Sequence, residues 1–439
     1  MSSEIDERLQ DIRDRGLYRR LRCVSGPQGP RVLLDGRPVL LLCSNNYLGL
    51  ADHPRVREAA AEAAMRYGAG SGASRLVSGN MTIHRRLEEQ LAAFKGTETC
   101  LLFGSGFLAN AGVVSGLARE GDVVFSDKLN HASIVDGCRL SQAETFVYNH
   151  CDVDHLEWGL RQAAGRGSLI VTDGVFSMDG DVAPLTEIVE LAQRYDARVM
   201  VDEAHGTGCV GPGGRGLVAS LALEDEVDVV VGTLGKSLGS YGAYVLCDKA
   251  MAKYLINTAR TLIFSTAPPP PAVAAAIAAL ELLREQPRRV EKLQRNAQVL
   301  RDALGESGLP VPGGDTPIVP LIVGDARATL AASERALERG IFAQAIRPPT
   351  VPAGTSRLRL AVMASHTKSE LREAARVLAA AVPAVAREAA QRMASGAEPA
   401  RDPAAAPARA AAGAAGSSGA PESSSDQQRR VFDGLADAA

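Results

Sequence analysis

The stretch DVVVGTLGKSLGS (Asp228 to Ser240) decides how this chain folds and what it can bind. A β-branched apolar run, suited to a buried strand, passes directly into Gly-Lys-Ser. Upstream, VMVDEAHG (Val199 to Gly206) is a second such run, ending in Asp-Glu-Ala-His. Side by side they have the look of the paired boxes of a nucleotide hydrolase, but the spacing excludes one. A phosphate loop needs G-x-x-x-x-G-K-[ST], so that consecutive backbone N–H groups curl around the phosphates and a helix follows. Here the first glycine of that pattern falls on Val230, and Gly232 is two residues too late. The continuation LGSYGAYVLC reads as a Gly-rich turn into another strand, and the two boxes stand in inverted order.

Outward from this stretch the pattern repeats. ETCLLFGSGF, DVVFSD, ETFVYNH, SLIVTDGVFSM and YGAYVLCD are further short apolar runs ending in Gly or polar residues. Helical patterns such as LTEIVELAQRYD separate several of them. Continuous Val/Ile/Leu runs between helices predict a mostly parallel sheet covered on both faces, with ligands beyond the carboxyl ends of its strands. The expected organisation is α/β: an N-terminal helix and arm over 1–45, with SGPQGPRVLLDGRP as a turn-rich link, and a large domain over 46–267. A proline run at Pro268 to Pro271 marks the boundary of a smaller C-terminal α/β domain over 268–385, which opens on one long helix. An Ala/Pro/Ser-rich tail over 386–439 has too few large apolar residues to offset its ordering entropy and is expected to be disordered.

Composition narrows the partners. The chain has 439 residues, 46% hydrophobic, and a net charge of −3, so no basic face argues for nucleic acid or an anionic membrane. Seven scattered cysteines lack C-x-x-C spacing, which points to reduced thiols in a cytoplasm and to no metal. The opening MSSEIDERLQDIRDRG is charged without an apolar centre, unlike a secretory leader, and no apolar run is of membrane length.

A hydrolase triad from Ser177, Asp202 and His205 lacks the G-x-S-x-G elbow. A lysine in a tight turn beyond a strand can instead form a Schiff base with an aldehyde cofactor, pyridoxal 5′-phosphate (PLP). Its ring nitrogen needs a carboxylate, for which Asp202 stands at a strand end. His205 can donate to the ring oxygen, His131 in DKLNHASI can stack over the ring, and Thr233 adds a hydroxyl for the phosphate. FGSGFLANAG, small residues opening a helix, offers free N–H groups to the same anion.

Taken together, SNNYLGL, GSGASRLVSGN, NHAS, DGVFSMDGD, VDEAHGTG and GTLGKSLG resemble the α-oxoamine synthases, PLP enzymes of fold type I, over about residues 16 to 385. That resemblance implies a large domain with a seven-stranded-type sheet, a homodimer with shared active sites, and acyltransferase chemistry. AIRPPTVPAGTSRLRL (Ala345 to Leu360) is similar to members that join L-alanine to a pimeloyl thioester, on CoA or acyl carrier protein, in biotin assembly. By the same resemblance Lys236 carries the Schiff base and removes the Cα proton, and His131 stacks and assists proton transfer. Asp202 pairs with the ring nitrogen, and His205 and Ser177 lie about the ring oxygen. Gly106, Phe107 and Thr233 hold the phosphate, reached also by Ser265 and Thr266 of a partner subunit. Arg359 and Asn45 bind the amino-acid carboxylate, and Arg19 (or Arg20) and Thr350 contact the acyl substrate. A sister synthase acting on glycine, such as a glycine C-acetyltransferase, and a non-catalytic PLP-binding protein are the alternatives.

Overall fold

The structure, a computed structural model, describes residues 2–382; the tail expected over 386–439 lies outside them. In chain order the strands are β1 (Val24–Ser25), β2 (Arg31–Leu34), β3 (Arg37–Leu41), β4 (Thr99–Phe103), β5 (Val123–Asp127), β6 (Glu144–Tyr148) and β7 (Ser168–Asp173). β8 (Arg198–Asp202), β9 (Val229–Thr233), β10 (Ala243–Cys247), β11 (Ile318–Gly324), β12 (Ile341–Phe342), β13 (Gln344–Ile346) and β14 (Ser356–Ala361) follow. The large sheet has seven strands in the order β4-β10-β9-β8-β7-β5-β6, parallel except for β10, which runs antiparallel to both neighbours. Every residue of β5 and β7 is buried, as a sheet covered on both faces requires. Alternate side chains enter opposite cores: Leu102, Ile170 and Val230 join one, Leu101, Val171 and Val231 the other. β11, β14 and β13 form an antiparallel sheet, and β1, β2, β3 and β12 a third, four-stranded one. No helix among the described residues is long and apolar enough to cross a membrane.

Two expectations need correction. The single long helix after the proline run is two, Pro270–Glu285 and Arg288–Glu306. Pro287 has no N–H to continue the ladder and forces Gln286 out of the helical region, to φ −130° and ψ 60°. The turn-rich link is a β-hairpin: Asp35 and Gly36, with φ of 50° and 79°, form the left-handed corner that lets β2 pair with β3.

His366 joins these layers. Fully buried, it accepts from the Met363 N–H at Nδ1 (2.9 Å) and donates from Nε2 to the Leu41 carbonyl (3.1 Å). Burial lowers its pKa from 6.5 to about 4. Above pH 6.5 folded and unfolded chains both hold this ring neutral; below it the unfolded chain binds a proton that the folded chain refuses. Denaturant midpoints are therefore expected to fall between pH 6.5 and pH 4, with a slope reduced by up to about one proton in His366→Gln. An unchanged slope in the variant would place the acid sensitivity elsewhere.

Candidate active site

The loops that leave β4, β5, β7, β8 and β9 meet at one end of the large sheet, and β14 faces them from the small one. Asp202 closes β8; its Oδ1 accepts from the Ala204 N–H (2.7 Å) and its Oδ2 from Asn110 Nδ2 (2.6 Å). Asn110 lies one turn after Gly106 in the helix Gly106–Leu117, so this helix positions the carboxylate. Asn110 Nδ2 also donates to Ser133 Oγ (2.9 Å), which pairs with His131 Nδ1 (2.7 Å). His131 caps the helix Ala132–Leu140, and its backbone N–H donates to Asp173 Oδ2 (3.1 Å) at the end of β7. Desolvation lowers the His131 pKa against the pull of Asp202, while burial, reinforced by Asp202, pushes the Asp173 carboxyl well up.

Lys236 follows β9 on a turn closed by Gly239 N–H to its own carbonyl (2.9 Å). From its Nζ runs a hydrogen-bonded string. Lys236 Nζ meets His205 Nε2 at 2.8 Å, His205 Nδ1 meets Tyr47 Oη at 2.7 Å, and Tyr47 donates to Asn45 Oδ1 at 3.1 Å. Arg359 enters from β14, donating from Nη2 to Tyr47 Oη and from Nη1 to Asn45 Oδ1, each 3.1 Å. Because Tyr47 donates to Asn45, its lone pairs take the His205 Nδ1–H, and His205 Nε2 accepts from Lys236. The ring is held neutral: burial, then the charges of Lys236 and Arg359, press its pKa well below the ordinary range. Burial also lowers the Lys236 pKa, opposed by Asp202 and Asp173.

At the sheet's other side Ser105 caps the helix opened by Gly106, its Oγ accepting from the Leu108 N–H (3.3 Å). A Cβ on Gly106 would stand 4.0 Å from Thr233 Cβ, so the helix N-terminus and this threonine share one niche. Thr233 Oγ1 donates to the Gly242 carbonyl (3.1 Å) and accepts from the Gly235 N–H (3.2 Å). Phe107, 46% exposed, stands at the rim.

Lys236, His205, Asp202, His131, Thr233, Gly106, Asn45 and Arg359 are thus gathered in one cleft. Ser177 enters through its carbonyl, which accepts from Arg359 Nε. Arg19 and Thr350 are exposed; Arg347 donates to the Gly16 carbonyl of the arm, and Thr266 pairs with Ser74 beside Ser265. Tyr47, Asn110, Ser133 and Asp173 were not singled out from sequence, although each stands in or beside a quoted motif. Their signal was position: Tyr47 two residues from Asn45, Asn110 four from Gly106, Ser133 two from His131.

The donor set suits PLP. It offers an amine of lowered pKa, a buried carboxylate locked by two donors, a neutral imidazole on the amine, and a helix N-terminus with a hydroxyl for a dianion.

The aminotransferase class I and II family matches residues 37–378. The 8-amino-7-oxononanoate synthase of Geobacter sulfurreducens is 53% identical over 382 residues, covering 86% of this chain and 98% of that protein. The enzyme of the same name from Citrifermentans bemidjiense is 53% identical over 375 residues, 85% and 96% of the two chains. A solved structure of SPT with PLP superposes with a TM-score of 0.82 at 33% identity, covering 86% and 96%. The cofactor is PLP, and the chain belongs to the class I and II aminotransferase family, grouping within it with the 8-amino-7-oxononanoate synthases.

Proposed function

We propose that this protein condenses L-alanine with a pimeloyl thioester, on CoA or acyl carrier protein, to give 8-amino-7-oxononanoate, CO2 and the free thiol carrier. The observation that carries the reading is the string from Lys236 through His205 and Tyr47 to Arg359 and Asn45. It links an amine of lowered pKa to a guanidinium, the two groups that would meet the amino and carboxylate ends of an α-amino acid.

Bound through Lys236, PLP supplies the electron sink that makes the alanine Cα proton removable. Asp202 would hold the proton on its ring nitrogen, His205 and Ser177 would serve its ring oxygen, and His131 would stack on the ring. The N–H groups of Gly106 and Phe107, with Thr233, would hold its phosphate. The Arg359 fork, with Asn45, grips the carboxylate and fixes which Cα bond stands ready to break. Lys236 is placed to remove the Cα proton. Cα then attacks the thioester carbonyl carbon, the thiolate leaves, the carboxylate departs as CO2, and a proton returns to Cα. His131 is placed to move protons at the reacting atoms.

Arg19 and Thr350, both exposed, are assigned to the acyl substrate. The working unit is read as a homodimer: Leu76, Val77 and Phe264, 55%, 79% and 71% exposed, flank the Ser74–Thr266 pairing, an apolar surface suited to a second copy that receives Ser265 and Thr266. Seven unpaired cysteines fit the cytoplasm.

A substrate screen tests the reaction. L-Alanine with pimeloyl thioester is expected to exceed glycine by about 10–200-fold in kcat/KM, the range one methyl group supports. Equal or better turnover of glycine with acetyl-CoA would overturn the assignment. Running pimeloyl-CoA beside pimeloyl-acyl carrier protein identifies the carrier.

A further inference from the structure

Arg359 is aimed by a crosspiece of which the reaction scheme uses only Ser177. Residues 175–182 form a small hairpin, paired at Val175 and Val182 and closed by Phe176 N–H to the Asp181 carbonyl and Gly180 N–H to the Phe176 carbonyl, each 2.9 Å. Toward the small sheet the hairpin makes three polar contacts. Ser177 gives its carbonyl to Arg359 Nε, Asp179 gives Oδ1 to Arg357 Nη1, and Gly180 gives its carbonyl to Thr316 Oγ1 (2.7 Å). Toward the large sheet it is held by His150. That ring donates from Nε2 to Asp181 Oδ2 (2.7 Å) and from Nδ1 to Asp127 Oδ1 (3.0 Å), and stands edge-on to Phe176, 4.4 Å between centroids.

Asp127 is a fixed anchor. It is buried at the end of β5, and its two oxygens also accept from the Leu129 and Cys151 N–H groups, each 2.8 Å. Asp181 is less secured: its Oδ1 is buried and has no hydrogen-bond partner among the described residues, so its side chain is held through one oxygen. Burial opposes charge on His150, but its bonds to Asp127, Asp181 and the Cys151 sulfur outweigh it and raise the pKa to about 12. Asp127, His150 and Cys151 offer donor atoms within 4.8 Å of one another, yet a doubly protonated ring has no lone pair for a cation.

We propose that His150 is a positioning residue for amino-acid binding: by bridging Asp127 and Asp181 it fixes the hairpin whose Ser177 carbonyl orients the Arg359 guanidinium. With Nε bound to that carbonyl, Arg359 turns Nη1 and Nη2 toward Asn45 and Tyr47; a hairpin shifted by about 1 Å misdirects the fork, and misplacement on this scale costs up to about 100-fold. The inference rests on Arg359 being the carboxylate-binding residue.

The test uses the PLP-loaded full chain with Asp181→Ala, a half-exposed position where truncation is tolerated, and His150→Gln. L-Alanine Kd by calorimetry and L-alanine KM are both expected to rise about 10-fold in Asp181→Ala, with His150→Gln changing in the same direction. The thioester KM should stay within about twofold. An unchanged alanine Kd in both variants, or equal losses in all these constants, overturns the proposal. Arg359→Lys separates the two levels. If it leaves alanine affinity intact, the carboxylate assignment itself fails; if it weakens affinity while Asp181→Ala and His150→Gln do not, only the hairpin's role fails.

Discussion

Replacing Lys236 with alanine is expected to lower kcat by at least about 10⁴-fold, the upper range for a positioned proton-transfer group. The lysine is assigned two tasks that no neighbour can take over. It holds the cofactor covalently before substrate arrives, and it moves the Cα proton afterwards. His205, bonded to its Nζ at 2.8 Å, is pressed toward the neutral form and lies in the string behind it. The loss is therefore expected in kcat more than in KM for alanine, because Arg359 and Asn45, proposed to bind the carboxylate, are left in place. The same variant has a readout independent of turnover. Borohydride treatment of the native protein should fix the cofactor's mass on the peptide containing Lys236, and Lys236→Ala should carry none. A fixed adduct surviving in the variant would move the covalent link to another amine.

The largest stability effect is expected from Lys95→Met. Lys95 ends the helix Thr82–Lys95 and is 4% exposed; its partner Glu203, next to Asp202, is 0% exposed. The ammonium donates to Glu203 Oε2 (3.3 Å), Thr207 Oγ1 (3.0 Å) and the Arg215 carbonyl, while Glu203 Oε1 accepts from the Val218 N–H (2.7 Å). Burial lowers the Lys95 pKa, with Glu203 pulling against it. A Cβ on Gly216 would come within 1.6 Å of Glu203 Oε2, so backbone walls the carboxylate in. Removing the amine strands that charge, at a cost of about 3–5 kcal/mol in chemical denaturation. Lys95→Met combined with Glu203→Gln should recover part of the loss, because the stranded charge goes with it. A single-variant cost below about 1 kcal/mol would show that the pair is not needed.

The sequence made the large sheet legible because its strands are unbroken apolar runs, each ending in a polar or Gly residue. Asp202, His131 and Lys236 stand beyond such ends, where a parallel sheet collects ligands. The N-terminal strands were harder to read. β2 and β3 are short and flanked by Gly and Pro, and their layer is completed only by β12, some 300 residues later in the chain (341 − 40 = 301). The break at Pro287 was written in the sequence, as a proline inside a helical pattern, but the pattern on both sides masked it. Asn110, Tyr47 and Ser133 act by holding other side chains, and that role has no composition or spacing of its own. Nor does His150, whose partners lie 23 and 31 residues away.

The antiparallel strand β10 also dictates when this protein can fold. β4 lies at the sheet's border and touches no strand in it except β10. Their pairing joins Ala243 to Phe103, so 140 residues (243 − 103) must be made before β4 finds its neighbour. At about 5–20 residues per second, translation leaves that border open for roughly 7–28 seconds. During this interval Leu101, Leu102 and Phe103 have no strand beside them, and the niche between Gly106 and Thr233 has only one wall. A nascent chain stopped short of Ala243 leaves β4 without its partner, and the niche between Gly106 and Thr233 is completed only with the last strand of the sheet to be made.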